Sequence, residues 1–257
     1  MNATLLIGHG SLKQASGASM IRLATRLREQ GIAPIAEASF LNYNRPTLAD
    51  GIARCAVQGA TQITVQPYFL INGKYVCQNL PMAIEEESQH YPHVTFKIGT
   101  PFNDHPAMID LVLKRVHAAT VHLESMIVSE RTALLMMAHG TPFPQANTPL
   151  YEIARQANEQ LDYGMAQVAF LDCNEPNIPT AVNQLVAQGM ECIVAMPYFL
   201  QFGRHVREDL PRLMAEARQH YRNLRLIQTH HLDYDLGLAD AIRESIERKR
   251  ANDYMFI

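Results

Sequence analysis

No apolar run in the sequence approaches the roughly 20 residues that a membrane-spanning helix needs, so no membrane partner is expected. An excess of positive charge is missing too. Lys and Arg number 22 against 25 Asp and Glu, a formal net charge of −3, which gives no electrostatic footprint for nucleic acid. Cysteine is scarce: Cys55, Cys77, Cys173 and Cys192 are scattered without a C-x-x-C pair. Free buried thiols in a reducing cytosol are therefore expected rather than a disulfide framework. The N-terminal MNATLLIGHGS lacks a basic stretch followed by a long apolar one, so no signal peptide is expected and the protein reads as cytoplasmic. What remains is ordinary globular composition, 47% apolar and 18% charged, over 257 residues, a length for one large domain or two modest ones.

The strongest signal is internal repetition. LLIGHGS at Leu5–Ser11 matches the LLMMAHGT that ends at Thr141, with His9 falling on His139 and Gly10 on Gly140. SFLNYNRP from Ser39 matches AFLDCNEP from Ala169, and QHY recurs at Gln89–Tyr91 and Gln219–Tyr221. QGATQITVQPYFLINGKYVCQNLP from Gln58 matches QGMECIVAMPYFLQFGRHVREDLP from Gln188, with 11 identities in 24 positions. Every match has an offset of 130 and needs no gap. Chance does not produce four such matches in register, so the chain is a duplication. Residues 1–125 form an N-terminal half and 126–257 a C-terminal half, with Thr120–Arg131 as the linker.

Within the first half, short apolar runs at Thr4–Gly8, Ile35–Leu41, Ile63–Leu70 and Val94–Thr100 alternate with helical patterns near Gly17–Gln30, Pro46–Gln58, Val76–His90 and His105–Ala119. Unbroken rather than alternating apolar runs suit strands buried on both faces of a parallel sheet. Pro46 and Pro176 are read as first helical residues. The fold class expected is α/β: two tandem doubly wound parallel-sheet halves, related by a pseudo-two-fold axis with a cleft between them, as in a homodimer of one half.

In open α/β sheets, ligands bind beyond the carboxyl ends of the strands. In the second half those ends carry His139, Asp172, Glu175, His205 and the pair His230-His231. In the first half Asn42, Arg45, Tyr75 and Asn79 stand where Asp172, Glu175, His205 and Asp209 stand in the second, and only His9 is kept. Imidazoles and carboxylates on one edge can hold a divalent transition metal or move protons near neutral pH. Neighbouring residues of a strand point to opposite faces, so at most one of His230 and His231 is expected to reach a common site. His93, His105, His117 and His122 are read as surface residues.

With the HG turns, the FLxxxxP stretch and PYFLxxGxHVxxDLP in view, the chain resembles the sirohydrochlorin chelatases, class II chelatases of the CbiX/SirB type, in their two-domain long form. The resemblance implies insertion of Fe²⁺ or Co²⁺ into sirohydrochlorin, a tetrapyrrole polycarboxylate, in sirohaem or cobalamin formation. The metal is then a substrate, and no organic cofactor is implied. Carried over residue by residue, the active-site histidines fall on His139 and His205, with Glu175 as a further catalytic group and Asp172 as a metal-binding carboxylate. In the first half they fall on His9 and Tyr75, where the pattern is broken, so the working site is assigned to the C-terminal half. Candidate contacts to the substrate and its carboxylates are His9, Ser11, Arg45, Lys74, Tyr75, Thr141, Arg204 and Arg207. A fused pseudo-dimer is expected to be a monomer.

Rival readings lack their residues. A histidine phosphatase needs Arg before the histidine, where Gly8 and Ala138 stand, and the G-x-S-x-G of α/β-hydrolases is absent. The alternative is a non-catalytic metal or tetrapyrrole carrier on the same scaffold.

Overall fold

The computed structural model describes residues 1–10 and 17–254, apart from the side chains of residue 124 and residues 248–254. Each repeat builds a four-stranded, all-parallel sheet. The first comprises β1 (Asn2–Gly8), β2 (Ile35–Phe40), β3 (Gln62–Pro67) and β4 (Thr95–Ile98) in the order β2-β1-β3-β4. The second comprises β5 (Thr132–Ala138), β6 (Met165–Phe170), β7 (Cys192–Pro197) and β8 (Arg225–Gln228) in the order β6-β5-β7-β8. Register repeats as well: Ile7 lies between Ser39 and Pro67, and Met137 between Ala169 and Pro197.

The central strands are buried on both faces, as their unbroken apolar runs require; Leu5, Leu6, Ile7 and Leu134 to Met137 are fully buried. Helices in chain order are α1 (Ala18–Glu29), α2 (Leu48–Val57), α3 (Leu80–Ser88), α4 (Pro106–Thr120), α5 (Thr148–Leu161), α6 (Ile178–Ala187), α7 (Leu210–His220) and α8 (Leu236–Tyr254). On one face of the second sheet, Leu135, Met137, Ile193 and Ala195 pack against Ile178, Val182 and Leu185 of α6 and Leu210 and Met214 of α7. Leu5, Ile7, Ile63 and Val65 meet α2 and α3 in the same way in the first sheet. Among the described residues no helix is long and apolar enough to cross a membrane.

The compact units do not follow the repeat boundary at residue 125. One comprises Met1–Asn103 with Tyr234–Ile257, the other Asp104–Asp233. Helix α4, the last of the first repeat, packs on α5, β7 and β8, and α8 packs on α1. In α4 the side chains of Met108, Ile109, Leu111, Val112 and Val116 are all buried. At about 1.5–3 kcal/mol for each large apolar side chain, that burial outweighs any local preference and decides where the helix lies. In the first unit, the buried Gln66 of β3 donates to Thr100 O and accepts from Ser245 of α8.

The helix starts differ from expectation by one feature. Pro46 and Pro176 are not the first helical residues. They precede the N-caps Thr47 and Asn177 and follow cis peptide bonds. Their carbonyls accept from Phe40 N and Phe170 N, so the segment is still extended there. Thr47 and Asp50 then form a reciprocal capping box, and the Asn177 side chain accepts from Thr180 N. His105, read as a surface residue, is the N-cap of α4 and accepts from Ala107 N.

Candidate metal centre of the second sheet

The carboxyl edge of the second sheet gathers residues from three strand ends. His139 directly follows β5. Gly140 takes φ +93° after it, turning the chain out of the strand against the Asp172 carbonyl. Asp172 follows β6, with its carboxylate accepting from Cys173 N at 2.8 Å. After β7 the chain enters a π-helical turn, His205–Asp209, that opens α7; such turns recur at functional sites. The His139 and His205 rings meet edge to face with centroids 4.9 Å apart. A cavity of about 340 Å³ lies here, lined by His139, Asp172, His205, Asp209 and Arg212 over an apolar floor that includes Phe170, Leu171 and Leu213.

His205 is held by a partner. Its Nδ1 lies 2.8 Å from Asp209 Oδ2, four residues on along the same turn. A carboxylate only accepts, so Nδ1 carries the proton and Nε2 keeps its lone pair for a metal or a proton. Arg212 was missed as a site residue in the sequence, and Asp209 was singled out only as the residue that Asn79 replaces, without its contact to His205. The signal was present, since His-x-x-x-Asp at i, i+4 faces one side of a helical turn and the first repeat has Tyr75 and Asn79 there.

The same edge of the first sheet is built alike and furnished differently. His9 meets Tyr75 edge to face at 4.3 Å and lies 5.8 Å from Tyr43, while its Nδ1 lies 2.9 Å from Gly10 O. Phe69 and Tyr75 stand 6.3 Å apart, the same spacing as Phe199 and His205. The backbone therefore presents position 75 as it presents 205, with an aromatic ring replacing the imidazole.

Other expected residues divide. Glu175 is not among the residues lining the cavity; its exposed carboxylate accepts from Asn177 N at 2.7 Å, at the start of α6. Thr141 is 4% exposed and its hydroxyl accepts from Phe143 N, a turn contact that leaves little for a ligand. Arg204 and Arg207 are exposed and share Glu208, at 3.6 and 2.9 Å. Arg45 is exposed and pairs with Asp50 at 3.3 Å, and Lys74 is exposed. Ser11 lies outside the described residues. All four cysteines are free thiols, but only Cys55 and Cys192 are buried as expected; Cys77 and Cys173 are exposed, because both lie outside the apolar core. Desolvation and the neighbouring Asp172 raise the Cys173 thiol.

His230 and His231 correct the alternation expected of them. β8 ends at Gln228, and beyond it the two rings stack, centroids 4.4 Å apart. Alternation of faces holds within a strand and lapses once the ladder stops. Burial pushes His231 down to about 4, helped by His230 and Arg115 and opposed by Asp233.

A family model, CbiX, matches the sequence twice, over residues 3–119 and 133–249. The chain belongs to the CbiX family. Its two CbiX repeats cover nearly the whole sequence. This CbiX-family chain is 26% identical over 247 residues to a sirohydrochlorin cobaltochelatase of Priestia megaterium, across 96% of this chain and 79% of the relative. It is 25% identical over 252 residues to a sirohydrochlorin ferrochelatase of the same organism, across 96% and 90%. Among solved structures, SirB from Bacillus subtilis with Fe³⁺ superposes with a TM-score of 0.84 at 21% identity, covering 99% of this chain and 98% of that one, a likeness of fold.

Proposed function

We propose that this CbiX-family chain is a sirohydrochlorin chelatase, inserting Fe²⁺ or Co²⁺ into sirohydrochlorin, with the working site in the second repeat. The observation that carries the reading is the pair His139 and His205, edge to face at 4.9 Å, with His205 oriented by Asp209 and with Asp172 lining the same cavity. Metallation removes two pyrrole protons from the macrocycle while a hydrated divalent ion sheds water. A neutral imidazole can hold the ion loosely or accept one of those protons. Two nitrogens with one or two carboxylates favour Fe²⁺ or Co²⁺ over Mg²⁺ without the tight hold of a closed thiolate site. At about 340 Å³ the cavity is at the low end for small-molecule pockets, room for an ion and one face of a ring rather than a whole tetrapyrrole. Arg212 at the cavity, with Arg204 and Arg207 on the same turn and helix, can grip the substrate carboxylates.

The test is anaerobic. Sirohydrochlorin and Co²⁺ or Fe²⁺ are mixed with and without protein, and the tetrapyrrole absorption is followed. Faster metallation with protein is expected; equal rates would leave a carrier and remove the enzyme. Asp209→Asn keeps a polar group at the site but loses the charge that fixes the His205 tautomer. It is expected to weaken use of the metal ion about tenfold, read as a raised KM for the metal, with an unchanged thermal midpoint.

A further inference from the structure

The loop leaving β8 carries side chains that the chelatase site does not use. His230, His231 and Asp233 can each offer one ligand atom, and these atoms lie within 4.8 Å of one another. None of the three lines the cavity of His139 and His205. His230 Nδ1 lies 3.1 Å from the His231 carbonyl. A carbonyl only accepts, so that nitrogen bears the proton and Nε2 keeps a lone pair, the arrangement common to metal-binding histidines. The same carbonyl accepts from Arg115 Nε at 2.9 Å, and Arg115 also donates to Leu232 O, tying the loop to α4. His231 is 3% exposed, yet its Nε2 is buried without a hydrogen-bond partner, a costly state for a polar atom unless something else satisfies it. Asp233 sits at φ 51°, a conformation that Asp and Asn adopt more readily than other side chains.

We propose that His230, His231 and Asp233 form a second divalent transition-metal site, separate from the His139–His205 pair. Two imidazoles and a carboxylate suit Fe²⁺, Co²⁺, Ni²⁺ or Zn²⁺ and disfavour Mg²⁺ and Ca²⁺, which prefer oxygen ligands alone. Three protein ligands leave positions for water, so the ion exchanges rather than being sealed in. The first repeat has Thr100, Pro101 and Asn103 at the corresponding positions, with no imidazole, so the chain carries this site once. Because all strands of the sheet are parallel, the end of β8 lies on the same carboxyl edge as the ends of β5 and β7. The ion is thus held on the edge where the His139–His205 pair stands. None of this depends on the chelatase reading.

The experiment uses the full chain with His139→Ala and His205→Ala, so that the first site is removed, and Co²⁺ as the probe with no tetrapyrrole present. Equilibrium dialysis is expected to find about one Co²⁺ per chain, and adding His230→Ala with Asp233→Asn is expected to weaken binding about tenfold or more. Unchanged binding in the four-fold variant, or no binding by its parent, overturns the proposal. Should the added changes lower the thermal midpoint, X-ray absorption of the Co²⁺-loaded parent decides. Two imidazole ligands are expected, and their absence rejects the site.

Discussion

Replacing His205 with alanine is expected to lower sirohydrochlorin metallation about a hundredfold or more in kcat/KM, the scale of losing a positioned proton acceptor that also meets the ion. The same change should barely move the thermal midpoint. His205 is half-buried at the rim of the cavity, and the residues that hold the π-helical turn to the core, Val206 and Leu210, are untouched. His9→Ala is the matching change in the first repeat. His9 contacts Tyr75 rather than a second imidazole, so activity within about twofold of the parent is expected, less than the tenfold that 1.4 kcal/mol would give. Equal losses from His9→Ala and His205→Ala in a rate assay would overturn the assignment of the site to the second repeat.

Gly140→Ala is expected to destabilise the second unit by about 3–4 kcal/mol, a fall of about 10 °C in its thermal midpoint. Two costs combine. Gly140 has φ +93°, which costs a residue with a Cβ about 1–2 kcal/mol. The added Cβ would also stand 2.0 Å from the Asp172 carbonyl oxygen, which is backbone and cannot swing aside. That carbonyl is engaged by Asn174 N, and Asp172 N donates to His139 O, so relief of the clash moves both site loops. Activity should fall with stability. Gly189→Ala separates the two costs: φ is +86° there, but nothing lies within 4 Å of the new Cβ, so only about 1 kcal/mol is expected. Gly10→Ala, whose Cβ would lie 1.9 Å from Asn42 O, should destabilise the first unit as much. Chemical denaturation followed by calorimetry reads all three.

The site was legible where repetition and topology carried it. His139 and His205 could be placed on one edge because parallel strands bring all their carboxyl ends to the same side, and comparison with the first repeat singled out Tyr75 as the residue that differs at an equivalent backbone position. Asp209 stood in the same comparison, opposite Asn79, but its role is a 2.8 Å contact inside a π-helical turn that no pattern of apolar residues announces. The position of Glu175 was illegible for a related reason: one step along an extended segment decides whether a carboxylate faces the cavity or the next helix, and here it accepts from Asn177 N.

By itself the sequence determined the duplication, the order of strands and helices and the sheet edge that gathers the candidate site residues, since these follow from hydrophobic period and from the geometry of parallel strands. Only the tertiary structure decided which helix covers which sheet and which polar side chains meet. The pattern in α4 records that one face must be buried, and burial of apolar surface is non-directional, so nothing local names the sheet that will bury it. Contacts such as His205 with Asp209, or His230 stacked on His231, require angles and distances of a few ångströms. Those arise only once the packed units hold the loops in place.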